Sequence, residues 1–194
     1  MTEMRYPTRL PDVLAILAGM AGVLYPFLVY FGLPHLSPGP LVALALGIGG
    51  VHLLRRRRGH GVLPRWSFLA IPGVLLALLA LRPVLAAQAY PPLVSLTLAA
   101  TFAWSLLHPP SAIERIARLT TPDFSPAAVA YTRTVTKVWT LFFLANASIA
   151  SACALWGTVA IWTLWTGLVS YLLIGVLFLG EMMVRRRVLQ RAAT

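Results

Sequence analysis

Six apolar runs, at residues 13–32, 41–54, 66–81, 93–107, 138–155 and 160–183, follow one another along the chain, and the basic residues fall almost entirely between them. A helix needs about 20 mostly apolar residues to cross a hydrocarbon layer about 30 Å thick. Inside that layer every backbone polar group must be paired within the protein, which restricts spanning segments of this composition to helices. The pattern predicts an all-α, polytopic membrane protein of about six transmembrane helices, forming a single integral membrane domain over residues 1–194. Composition agrees: 59% of residues are hydrophobic, 11% are charged and mean hydropathy is +0.80, far beyond what a soluble core absorbs.

Charge sets the expected orientation. The chain carries 16 Lys and Arg against 5 Asp and Glu. With the amino terminus inside, Arg5, Arg9, the arginines of 55–65, Arg115, Arg118, Arg133, Lys137 and the terminal arginines all lie on the inner side, leaving only Arg82 outside. Positive residues near span ends are retained in the cytoplasm, so both termini are expected there. The first run is too long for a signal peptide and lacks a small-residue cleavage pattern, which predicts a retained helix. The second run is short, and its arginine stems are expected to snorkel. The stretch VLAAQAYPP reads as an extension of the third helix or as a loop, and Arg82 as an interfacial residue. The basic excess forms no separate aromatic-interleaved domain, which argues against nucleic acid and for lipid.

The residues exclude several chemistries. Cys153 is the sole cysteine, and His35, His52, His60 and His108 are scattered, so neither a disulfide nor a metal site at helical spacing is expected. There is no GxSxG, HExxH, phosphate-binding glycine loop or paired aspartate. No cofactor is expected.

The cytoplasmic segment 109–137 carries the most information. Ser111 and Glu114 have capping-box spacing, so a short interfacial helix between spans four and five is expected to start at Ser111. Its apolar face would be Ile113, Ile116 and Ala117, with Glu114, Arg115 and Arg118 toward water and Glu114 paired to Arg118 at i and i+4. It reads either as a plain connector or as a headgroup site in which Arg115 and Arg118 donate to phosphate or carboxylate and Glu114 orients them. Ser125 and Pro126 then supply an amino cap and a first-turn proline for a helix running to about residue 155. That helix is longer than the bilayer core, so its first turns should protrude into the cytoplasm with Arg133 and Lys137 on one face, and Tyr131 and Trp139 at headgroup depth.

Within the apolar runs two polar residues stand out. Asn146 needs a partner, because an unpaired amide in hydrocarbon is costly. It fits a helix-packing contact beside Ala147, Ser151 and Ala154, or a ligand cavity. Glu181 shares a stripe with Thr163 and Ser170 and reads as a partner of Arg185 or as a carboxylate facing Arg115, Arg118 and Arg133.

Pro109, Pro110, Ser111, Glu114, Arg115, Tyr131, Thr132, Arg133, Trp139, Phe142, Phe143 and Asn146, with Tyr171, Gly180 and Glu181, carry a resemblance. Over this carboxyl-terminal half the chain resembles a family of small bacterial inner-membrane proteins associated with aryl-polyene and xanthomonadin-type pigment clusters. TKVWTLFFLANASIA also bears a fainter likeness to the intracellular septation protein A family. The resemblance implies the bacterial inner membrane, close to synthesis or export of an acyl-derived envelope lipid. The expected function is that of an accessory, non-enzymatic protein whose basic cytoplasmic face binds an anionic lipid, an acyl intermediate, an acidic acyl carrier protein or other pathway enzymes. The alternative is a membrane-embedded lipid-modifying enzyme or small transporter with a polar cavity around Asn146 and Glu181.

The charge pattern makes a topology prediction. Reporter fusions after Arg58, Thr121 and Thr194 should report cytoplasm, and fusions near Ser37, Gln88 and Gly157 the opposite side. An exported signal at any of the first three sites would exclude the inward orientation of both termini.

Overall fold

The computed structural model of the chain describes residues 10–56, 67–119 and 125–192, and contains no strand among them. The arginines of the 57–66 loop, Arg5, Arg9 and Asp123 lie outside the described residues, and so does the side chain of Arg185. The helices are α1 (Leu10–Gly32), α2 (Pro38–Arg56), α3 (Ser67–Leu81), α4 (Pro83–Leu107), α5 (Ala112–Ala117), α6 (Pro126–Trp156), α7 (Val159–Leu164) and α8 (Ser170–Ala192). A π-helical turn, Trp165–Val169, joins α7 to α8. The helical stretches Pro83–Leu107, Pro126–Trp156 and Val159–Val184 are long and apolar enough to cross a membrane, while Ile16–Gly32, Pro38–Val51 and Ala70–Leu81 are shorter apolar helices. The chain divides into two compact units, Met1–Tyr90 and Pro91–Thr194.

In the first unit α1 packs on α2 and α2 on α3. Pro34 ends α1, since the residue before a proline is pushed out of the helical region. A Cβ on Gly32 would meet Leu41 Cδ2 at 3.4 Å, so glycine lets α2 approach closely. Tyr25, Val29, Val42 and Leu75 are enclosed.

Prolines decide where α4 begins. Pro83 breaks α3 at Leu81 and occupies the first position of α4, where its missing N–H costs nothing. VLAAQAYPP therefore neither extends α3 nor forms a loop, and the expected start near residue 93 is corrected to Pro83. The turn between the two helices falls at Arg82, while Gln88 is buried inside α4.

Pro91 deprives the Ala87 carbonyl of its i+4 donor. Tyr25 fills that place: its hydroxyl lies 2.9 Å from Ala87 O and 3.2 Å from Leu41 O, and its ring meets Tyr90 edge-on at 4.9 Å. One side chain thus ties α1 to α2 and to the start of α4.

In the second unit α6 begins as the sequence predicts, with Ser125 Oγ accepting from the Ala128 N–H at 3.2 Å and Pro126 in the first turn. It ends at Gly157, where a Cβ would lie 2.6 Å from Cys153 O. Thr158 then caps α7, accepting from the Ile161 N–H at 3.3 Å.

Tyr25→Phe should cost about 1 kcal/mol, the scale of a hydrogen bond between membrane helices. In the Tyr25→Phe background, Pro91→Ala restores an N–H for Ala87 O and should recover part of that loss. Denaturant titration of the purified protein in detergent reads both effects, and equal stability of the parent and Tyr25→Phe would exclude the role given to the hydroxyl.

Candidate functional site

The short α5 is seated by hydroxyls. The first N–H groups of a helix have no partner within it. Here Ser105 Oγ on α4 accepts from the Ala112 N–H at 2.9 Å, and Thr136 Oγ1 on α6 accepts from the Ile113 N–H at 3.3 Å. Ser105 and Thr136 in turn donate to Phe102 O and Thr132 O, each at 2.7 Å. The capping box is half closed: Glu114 Oε2 accepts from the Ser111 N–H at 3.4 Å, while Ser111 Oγ is buried without a hydrogen-bond partner among the described residues.

This polar seat reverses the expected orientation of α5. Glu114 turns inward and is 5% exposed, and Ile116, about 200° round the helix from it, turns outward at 60%. The expectation that Ile116 joins a buried apolar face and Glu114 points to water is therefore corrected. The i and i+4 pair forms as expected, with Arg118 Nε and Nη2 donating to Glu114 Oε1 at 2.9 and 2.7 Å, but its acidic half is buried.

The basic residues of this segment divide into two kinds. Arg115 donates through Nε to Pro110 O at 2.8 Å and through Nη2 to His108 O at 3.1 Å, so it fastens the chain leaving α4. Arg118 is closed on Glu114. Arg133 and Lys137, one turn apart on α6, are exposed and make no ion pair or hydrogen bond with any described residue.

Glu181, on α8, meets a different side of α6. The Tyr131 hydroxyl lies 3.2 Å from Glu181 O and 3.5 Å from Glu181 Oε1, linking α6 to α8. Tyr131 and Arg133 are two residues apart and so about 200° apart around the helix, which turns Glu181 away from Arg133.

Asn146 organises the interior. It is buried, donating through Nδ2 to Ser95 Oγ on α4 at 3.0 Å and accepting at Oδ1 from Trp165 Nε1 at 3.1 Å and Ser170 Oγ at 2.7 Å. Both lone-pair directions of the amide oxygen are filled. Trp165 and Ser170 are five residues apart, which in an α-helix separates them by about 140°. They converge on one oxygen because the π-turn lies between them, its i to i+5 bond running from the Ser170 N–H to Trp165 O. Beside this network Phe143 packs against Phe102, Trp139 and Phe142, each with ring centroids 5.5 Å away.

The structure thus brings Asn146 together with Ser170 and with Ser95 and Trp165, which sequence reasoning missed. It keeps Asn146 apart from the Tyr131 and Glu181 contact and from the surface cations. Ser95 is one of four hydroxyls in its apolar run, with Thr97, Thr101 and Ser105, so the sequence does not single it out, and the π-turn leaves no trace in a 3.6-residue period. Compared with protein-family models, curated proteins and solved structures, the chain matches none.

Asn146→Leu removes three side-chain bonds and strands their partners, so it should cost on the order of 2 kcal/mol. Ser170→Ala should cost less than 1 kcal/mol by itself and nothing further in the Asn146→Leu background. Unfolding titrations of the single and double variants check this. Additive losses would mean that Ser170 acts independently of the amide.

Proposed function

We propose that this chain is a multi-pass protein of the bacterial inner membrane, with about six crossings and both termini in the cytoplasm. It acts as an accessory factor in envelope lipid or aryl-polyene biosynthesis or export. Its partner is an anionic lipid, an acyl intermediate or an acidic carrier protein, met through the first turns of α6. The single observation that carries this reading is the pair Arg133 and Lys137, exposed and unneutralised by any described residue at one end of a helix with no other charged residue.

Helix length supports the arrangement. With Asn146 near the centre of a core about 30 Å thick, at 1.5 Å per residue, the boundaries fall near residues 136 and 156. Trp156 and Trp139 then lie near the two interfaces, where indoles concentrate. Lys137 reaches headgroup depth and Arg133 stands about 5 Å beyond the core.

The interior supports an accessory role over chemistry in the membrane. A reaction there requires convergent polar groups with free valences. The Asn146 oxygen is saturated by Trp165 and Ser170, and the Glu181 carboxylate is held beside Tyr131.

The test is complementation of a deletion strain by Arg133→Glu with Lys137→Glu, read by lipidomics of the envelope. The double reversal should insert normally, because the arginines of 55–58 and of the carboxyl terminus still set orientation. It should fail to restore the lipid or pigment profile. Full restoration by a stably inserted variant would reduce these charges to a topology signal.

A further inference from the structure

The corner between α5 and α6 narrows the class of partner. Thr136 holds α5 through the Ile113 N–H. Measured around α6 from Thr136, Arg133 lies at about 60° and Lys137 at about 100° in the same sense, so both cations flank the seat of α5 on one side. The outward face of α5 bears Ile116, and the turn after it bears Leu119, which are 60% and 84% exposed. Neither group is where a water-facing connector needs it. The first N–H groups of α5 are occupied by Ser105 and Thr136, so the helix terminus itself offers nothing to an anion.

We infer that this corner binds an anionic phospholipid of the surrounding leaflet, with Arg133 and Lys137 holding the phosphate and Ile116 and Leu119 entering the boundary between headgroup and acyl chains. The inference rests on the membrane reading above. An amphiphile needs a cationic contact and an apolar contact side by side, and that juxtaposition is what α5 and α6 present. Charge recognition of an acidic protein does not require an apolar contact at headgroup depth, whereas an amphiphile does. The tether fixes the depth as well: α5 follows α4 after four residues, 108–111, so it stays at the surface of whatever layer α4 enters. Because Arg115 and Arg118 are committed to Pro110, His108 and Glu114, the charge available to the lipid is that of α6.

The test uses the full chain in neutral detergent micelles, with native mass spectrometry counting bound dioctanoyl-phosphatidylglycerol. Dioctanoyl-phosphatidylcholine, inorganic phosphate and an acidic acyl carrier protein serve as comparison probes. Phosphatidylglycerol should bind more tightly than phosphatidylcholine and weaken steeply with salt. Arg133→Gln or Lys137→Gln should each weaken it about fivefold, and the pair about thirtyfold, while the exchange Arg133→Lys with Lys137→Arg should bind as the parent does. Ile116→Ser with Leu119→Ser should weaken phosphatidylglycerol and leave the carrier protein unaffected. Equal affinity for the two lipids, or no change in either single glutamine variant, overturns the inference. If the carrier protein alone depends on the two cations, the lipid assignment falls and the basic-face reading stands. If no probe depends on them, both fall.

Discussion

A chain so poor in charge has to satisfy its buried polar groups from within, and the fold is arranged around a few side chains that do so. Asn146 is the central one, since its amide reaches α4 through Ser95 and both sides of the π-turn through Trp165 and Ser170. Where apolar surfaces would slide past one another with little preference, one amide bonded to three partners selects a single register. The same requirement explains smaller features. Tyr25 answers the carbonyl left open by Pro91, and Ser105 and Thr136 answer the first N–H groups of α5. At Pro91 and at the start of α5 a vacancy opens in the backbone ladder, and a hydroxyl from another helix closes it.

This dependence separates what the sequence reveals from what it conceals. Local chemistry reads directly: Ser125 with Pro126 starts α6, Ser111 starts the short helix at α5, and Glu114 finds Arg118 one turn on. Asn146 is also legible, because an isolated amide in an apolar run must be paired with something. Its partners are harder. Ser95 lies 51 residues away in the chain, and Trp165 joins Ser170 only through a π-turn that a regular period cannot encode. The inward turn of Glu114 is hidden for a related reason. Its orientation is set by hydroxyls on α4 and α6, and sequence hydrophobicity alone ranks Ile113 and Ile116 as the buried pair.

The start of α4 is instructive in the same way. Three prolines lie close together in the stretch from Pro83 to Pro92, and taken singly each argues for a break. Pro83 does break the chain, because its position coincides with the end of α3. Pro91 and Pro92 lie inside α4, and at Pro91 the Tyr25 hydroxyl supplies the donor that the proline removes. There, another part of the fold repairs the ladder and the helix continues.

The basic residues follow a division of labour that counting cannot show. As a topology signal all of them are equivalent, since retention of positive charge depends on nearness to span ends and not on later contacts. Once the chain is folded they differ. Arg115 becomes a clamp on two backbone carbonyls, and Arg118 neutralises a carboxylate that the hydroxyl seat has drawn inward. Arg133 and Lys137 are left with their charge unspent among the described residues. A guanidinium that stabilises its own fold contributes far less to a partner, because its donors are already occupied and its field is offset by the group it holds. Within the segment 109–137, the basic charge that can act on something else is thus smaller than composition implies, and among the described residues of that segment it lies in the first turns of α6.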